Sequence, residues 1–253
     1  MLLSSNDMCR IFTDLDNTVI FSHKYDIGSK VLTELLNGKE QSYMPENGYR
    51  QLQNLPKDMV IPVTSRTKAQ YNRVQLYKDK SCTQYSLIDN GAILLVNGAE
   101  DIKWTKETEK WLKNDIDCMI LLTERYKDSA DLLMQDGFTL RVKGNVSTVT
   151  KISEAAEKEN LMVFESAGKT YICPKQLTKG NAIKRFKKKH QVQKCICAGD
   201  SIIDISMIRE CDRAYFPTEI KKYIPDMVKS RVSLTEKFKI AETIFSKEIF
   251  DEI

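Results

Sequence analysis

Four carboxylates and a lysine stand where short apolar runs end or helical patterns begin. Arg10-Ile-Phe-Thr13 leads directly into Asp14-Leu-Asp16-Asn-Thr18. Side chains two apart on extended backbone point the same way, so both carboxylates can face one site. Two close carboxylates repel unless a cation or a shared proton relieves them. Lys194-Cys-Ile-Cys-Ala198 ends in Gly199-Asp200-Ser201-Ile-Ile-Asp204, with Asp204 one helical turn beyond Asp200. Carboxylates meeting from separate strand ends make an oxygen-rich site for a hard ion. Mg2+, held by few carboxylates, waters and a phosphate oxygen, fits best. Met59-Val-Ile-Pro-Val63 runs into Thr64-Ser65-Arg66, where a hydroxyl and free amides at a helix start suit phosphate oxygens. Lys179-Gly180 opens another helical stretch, and a lysine there can neutralise phosphate charge. Taken singly, each pattern also fits a smaller role. Asp14, Asp16, Thr64 and Asp200 can cap turns or helices, and most lysines are solvated.

The elements that must position these residues alternate between short apolar runs and helical patterns, which predicts an α/β fold. Strands are expected at 10–13, 59–63, 85–88, 194–198 and 214–216, the last as an edge strand. Helices are expected around Val31–Leu36, Glu46–Leu55 and 67–78. Asp14, Thr64 and Asp200 each follow a strand, and in a parallel sheet such ends share one edge, where ligands bind. Between the third and fourth strands the character changes. Trp104–Tyr126 reads as one long amphipathic helix, which Ser129–Met134 extends or follows with another. A strand is expected at Phe138–Val142, a helix at 147–158, and a hairpin of Leu161–Phe164 and Thr170–Cys173 around Ser166-Ala-Gly-Lys169. The organisation expected is a Rossmann-like three-layer parallel-sheet core of residues 1–98 and 176–253, with an inserted α+β cap of residues 99–175.

Jointly and in order, Asp14-Leu-Asp16-Asn-Thr18, Thr64, Lys179 and Gly199-Asp200-(x)3-Asp204 resemble the four motifs of the haloacid dehalogenase superfamily. Tyr85-Ser-Leu-Ile-Asp-Asn90-Gly91 resembles a strand end of the branch whose large cap lies between the second and third motifs. That branch includes Cof-type and sucrose-phosphate phosphatases and phosphomannomutase. The resemblance implies a magnesium-dependent phosphatase acting on a small phosphorylated metabolite, with a sugar phosphate as leading candidate. It implies Asp14 as nucleophile forming an aspartyl-phosphate, and Asp16 as acid and then base. Thr64, Ser65 and Lys179 would hold phosphoryl oxygens, and Asp14, Asp16, Asp200 and Asp204 would serve the metal, Asp16 through its carbonyl and Asp204 in support. The cap would close over the site, and Arg66, Arg141 and Lys143 are the expected specificity contacts. A phosphomutase, a nucleotide or nucleic-acid end phosphatase and a non-catalytic phosphometabolite sensor are the alternatives. Two positions depart from the Cof-type pattern: Ile203 stands where Asn is usual, and Ser65 where Gly is.

Bulk properties exclude several other classes. The formal net charge of +4 over 253 residues is too small to argue for nucleic acid. Lys184–His190 is basic, but it reads as the solvated face of a helix with Ile183 and Phe186 turned inward. Seven scattered cysteines, an odd number, predict reduced thiols, and Cys195-x-Cys197 predicts core packing. Trp104 and Trp111, two turns apart, are expected in the cap core. No apolar stretch nears the roughly 20 residues that span a bilayer, and the start lacks a basic, signal-like region, so a cytoplasmic protein is expected. No pattern specifies an oligomeric state.

Overall fold

The computed structural model describes residues 9–77, 83–166 and 168–251. The start at 1–8, Cys82, Lys78 of the expected 67–78 helix and Ala167 of the expected hairpin turn lie outside the described residues. The chain divides into two compact units: Met1–Glu100 with Thr178–Ile253, and Asp101–Leu177.

The first unit opens with β1 (Arg10–Thr13), followed by a small antiparallel sheet of β2 (Phe21–Ser22), β3 (Lys30–Leu36) and β4 (Lys39–Pro45). Residues 31–36, expected as helix, are therefore strand. Val31 and Thr33 are β-branched, and Asn37-Gly38, with φ of 52° and 75°, forms the two-residue loop that closes a hairpin. Next come α1 (Glu46–Gln53), β5 (Val60–Pro62) and α2 (Lys68–Tyr71). The helix expected over 67–78 lasts one turn. Thr67 and Gln70 cap its start reciprocally, but the chain then swings aside so that Val74 bridges to Glu34 on β3. A tight 3-10 turn follows at Gln75–Tyr77. β6 (Tyr85–Ile88) pairs antiparallel with β7 (Ile93–Val96), and β7 with β8 (Ala99–Glu100).

The second unit contains α3 (Ile102–Trp111), α4 (Lys113–Tyr126), β9 (Asp131–Gln135), β10 (Thr139–Lys143), α5 (Val146–Lys158), β11 (Leu161–Ser166) and β12 (Lys169–Pro174). The helix expected over 104–126 breaks at Leu112, whose ψ of 13° leaves the helical range. Trp104 is buried as expected, but Trp111, at the end of α3, is 42% exposed. Residues 131–134, expected as helix, form a strand paired along its whole length with β10. The four strands run antiparallel in the order β11-β12-β10-β9. Leu140, Val142, Leu161 and Ile172 from this sheet share one core with Met119 and Leu122 of α4 and Ile152 and Ala156 of α5.

The chain returns to the first unit through α6 (Lys179–His190), β13 (Cys195–Ala198), α7 (Ile205–Ile208), β14 (Arg213–Pro217), β15 (Val232–Thr235), α8 (Ile240–Ile244) and α9 (Glu248–Asp251). Five strands make one wholly parallel sheet in the order β15-β14-β13-β1-β5. β14, expected at the edge, is internal, because β15 pairs along its outer side. Ile11, Phe12, Ile61, Ile196 and Cys197 are fully buried, as expected where both faces of a parallel sheet are covered. Ile183 and Phe186 of α6 are also buried, and the Phe186 ring meets Phe12 edge-on at 5.7 Å. Among the described residues, all six cysteines are free thiols and five are buried. No described helix is long and apolar enough to cross a membrane.

Candidate active site

β1, β5 and β13 run parallel as neighbours, so the residues that follow them emerge at one sheet edge. Asp14 is the first residue beyond β1, and its amide still donates to Ala198 O at 2.9 Å. Asn17 then takes a left-handed conformation, φ 61°, and its amide donates to Ile20 O. Asparagine tolerates that region better than most residues, and the turn keeps the Asp14–Thr18 segment at the edge. Asp200 is the second residue beyond β13, after Gly199, whose amide donates to Tyr215 O at 3.3 Å, and Thr18 Oγ1 donates to Asp200 Oδ1 at 3.5 Å.

Carboxylate oxygens of Asp14, Asp200 and Asp204 all lie within 4.8 Å of one another. Asp204 reaches this place because Gly199 has no side chain: a Cβ there would stand 2.4 Å from Asp204 Cβ. Asp204 Oδ2 accepts from the amides of Asp200 and Ser201 at 3.1 and 3.0 Å and from Ser201 Oγ at 2.6 Å. Asp204 Oδ1 is held by Lys179 Nζ at 2.5 Å, and the same ammonium donates to Asp14 Oδ1 at 2.5 Å. Asp204 thus fixes the turn and the lysine, leaving Asp14 and Asp200 the freer oxygens.

Lys179 is itself set by close packing. Thr178 caps α6 by accepting from the Asn181 amide. A Cβ at position 180 would fall 2.2 Å from Ser206 O, so only glycine lets the first turn of α6 approach α7 this closely.

Electrostatics reflect the crowding. Burial raises the Asp14 carboxyl well above its ordinary range; Lys179 opposes the rise, while Asp204, Asp200 and Asp16 add to it. Asp200 is pushed up to about 6 by burial and by Asp204, against the pull of Lys237 and Lys179. Burial works against the charge on Lys179, but Asp14 and Asp204 outweigh it and raise its pKa. Asp14 and Asp204 share one buried ammonium, and Asp200 has only Lys237 at 4.0 Å, so the cluster keeps an excess of negative charge that a bound cation relieves. An all-oxygen donor set drawn from Asp14, Asp200 and Asp204 fits a hard ion such as Mg2+.

The remaining sequence-derived candidates divide. Thr64 is fully buried; its amide donates to Leu87 O at 2.9 Å and its Oγ1 accepts from the Arg66 amide at 3.2 Å. Ser65 is exposed beside it. The Asp16 carboxylate, 47% exposed, does not join the acidic cluster. It is gripped on both oxygens by Arg66, with Nε to Oδ2 at 2.8 Å and Nη2 to Oδ1 at 2.7 Å. Arg141 and Lys143 belong to the second unit, where Arg141 Nη2 donates to Asp131 Oδ2 at 3.0 Å and Lys143 is exposed.

Three residues near the site escape sequence reasoning. Thr18 sits within the quoted motif but carries no charge to mark it. Lys237, whose Nζ lies 4.0 Å from Asp200 Oδ2, comes from a carboxy-terminal turn rich in lysine. Glu34 contacts Arg66 from a stretch whose pattern resembles a helix.

The family model of haloacid dehalogenase-like hydrolases matches residues 29–216, which include Thr64, Lys179, Asp200 and Asp204 and follow Asp14 and Asp16. The chain belongs to this family. Among solved structures, the sucrose-phosphatase from Synechocystis, in complex with sucrose and phosphate, is similar at 16% identity and a TM-score of 0.62, over 96% of this chain and 98% of that one. A subclass IIB sugar phosphatase of the same superfamily is similar at 12% identity and a TM-score of 0.60, over 97% and 100%. A trehalose-6-phosphate phosphatase from Aspergillus fumigatus follows at 13% identity and a TM-score of 0.52, over 97% and 93%. These likenesses are of fold. No curated protein matches the sequence.

Proposed function

We propose that this chain is a Mg2+-dependent phosphomonoester hydrolase that works through an aspartyl-phosphate on Asp14. The observation that carries the reading is the buried triangle of Asp14, Lys179 and Asp204 beside Asp200, at the edge where three parallel strands end. Asp14 Oδ attacks phosphorus as the bond to the leaving oxygen breaks, and Asp16 delivers a proton to that oxygen. In the second half, water attacks the same phosphorus and gives its proton to Asp16. The phosphorus–Asp14 bond then breaks, releasing phosphate and restoring both carboxyl groups. Lys179 orients Asp14 through Oδ1 and offsets charge on the transferring group, and Thr64 and Ser65 hold its oxygens. Asp14, Asp200 and the Asp16 carbonyl are the ligands proposed for Mg2+, which when bound supplies charge neutralisation at the phosphoryl group.

The family membership and the sugar phosphatases among the similar folds support a small phosphorylated metabolite, with a sugar phosphate as the first candidate. On this reading the unit Asp101–Leu177 is the inserted cap. The test is phosphate release from p-nitrophenyl phosphate with and without Mg2+, for the natural chain and for Asp14→Asn. Full activity in the variant would remove Asp14 as nucleophile. A screen of sugar phosphates with the natural chain then addresses the substrate.

A further inference from the structure

Arg66 has no donor left for a substrate. A guanidinium carries five N–H groups. Two grip Asp16 as described. Nη1 and Nη2 donate to Glu34 Oε1 and Oε2 at 3.0 and 2.9 Å, and the last Nη1 hydrogen goes to Gln70 O at 3.3 Å. The side chain expected to select substrates is instead a two-sided fork, with Asp16 on one edge and Glu34 on the other.

Glu34 is the fixed end of this chain of contacts. It is 1% exposed, and its oxygens accept two further bonds, from Arg73 Nε at 3.1 Å and Ser42 Oγ at 2.8 Å. Its aim comes from an irregularity in the hairpin. Leu32 pairs with Tyr43 and Glu34 with Ser42, so Thr33 is an extra residue, and Thr33 and Glu34 are both buried despite being consecutive. A bulge of this kind re-aims a side chain that regular alternation would turn away. Asp16, by contrast, is half exposed and held by Arg66 alone among the side-chain bonds described.

We propose that Glu34 is a positioning residue for Asp16, acting through Arg66, so that the β3–β4 hairpin sets the direction from which the proton reaches the leaving oxygen. This rests on the reading of Asp16 as the proton donor. The guanidinium is planar and rigid, so fixing one edge fixes the other. Misplacing a catalytic group by about 1 Å costs on the order of a hundredfold in rate.

The test exploits the leaving group. Departure of p-nitrophenolate needs little protonation, whereas phenolate and alkoxide need much more. kcat/KM is measured for p-nitrophenyl phosphate and phenyl phosphate with the natural chain, Asp16→Asn, Glu34→Gln and the double variant. Glu34→Gln is expected to lose about tenfold on phenyl phosphate but under about threefold on p-nitrophenyl phosphate, part of the roughly hundredfold or greater effect of a general acid. In the Asp16→Asn background it adds less than about twofold, as expected for residues acting in series. Equal loss on both substrates, or full additivity, overturns the role of Glu34. An Asp16→Asn variant indifferent to the leaving group overturns the acid assignment itself, and is read before Glu34 is considered. Should Glu34→Gln fail to fold, Arg66→Lys keeps the charge without the two-edged fork. The same selective loss supports the proposal, and an unselective one overturns it.

Discussion

Lys179 Nζ and Asp204 Oδ1 stand 2.5 Å apart with side chains 1% and 0% exposed, and the same ammonium holds Asp14. A pair removed this far from water gains little over apolar packing, yet breaking it from one side leaves uncompensated charge in a poor dielectric.

Lys179→Met would strand two buried carboxyl groups. Its unfolding free energy in urea, at neutral pH with chelator, is expected to fall by about 3–5 kcal/mol. A loss under about 1 kcal/mol, the range of exposed pairs, would mean that Asp14 and Asp204 find relief elsewhere.

Attack at phosphorus by Asp14 and then by water has an isotopic signature. In 18O-labelled water the released phosphate is expected to carry one labelled oxygen and Asp14 none, measured by mass spectrometry of phosphate and of the Asp14 peptide. Label in Asp14 would mean that water attacks the acyl carbon. Isomerised substrate with no release of labelled phosphate would identify a mutase.

Glu34 predicts an acid limb of stability. Burial alone would raise its pKa, but hydrogen bonds and charge from Arg66, with Ser42 and Arg73, outweigh burial and lower it below the ordinary 4.5. A group depressed on folding stabilises the folded state above its unfolded pKa and loses that contribution as pH falls through the folded value. The melting temperature of the natural chain should therefore drop as pH falls from about 4.5, the unfolded value, toward the lowered one, while Glu34→Gln starts lower and changes less over that window. Parallel curves for the two proteins would contradict this.

Lys237 bears on the proposed cation. Its ammonium, 4.0 Å from Asp200 Oδ2, opposes a second positive charge on that carboxylate. Lys237→Met is expected to tighten Mg2+ binding, measured by titration calorimetry, by at least roughly 1 kcal/mol, or about fivefold, the scale of a unit-charge interaction at this separation in bulk water. Weaker binding would mean that Lys237 helps to shape the site.

The acidic and basic positions were legible because each follows a strand or opens a helix, where a short polar run interrupts an apolar one. The supports behind them were not. Glu34 acquires meaning only from a hairpin bulge and from Arg66, 32 positions away, and residues 31–36 hid their strand although Asn37-Gly38 marked a hairpin. Leu112 ends α3 without proline or glycine, so nothing in the sequence announced the break. β15, only Val232–Thr235, is half-exposed to exposed and too short to register. The pairing of Asp16 with Arg66 shows the same limit. Residue spacing put Asp16 beside Asp14, but a partner from the β5 edge decided which way its carboxylate turned.

The seat of α6 on α7 converts shape into charge. Position 180 holds no ionisable atom, yet a single methyl group there would lever the helix off the Ser206 carbonyl and carry its first residue, the lysine, with it. A steric defect at a position without a side chain would then register as a change in field at Asp14.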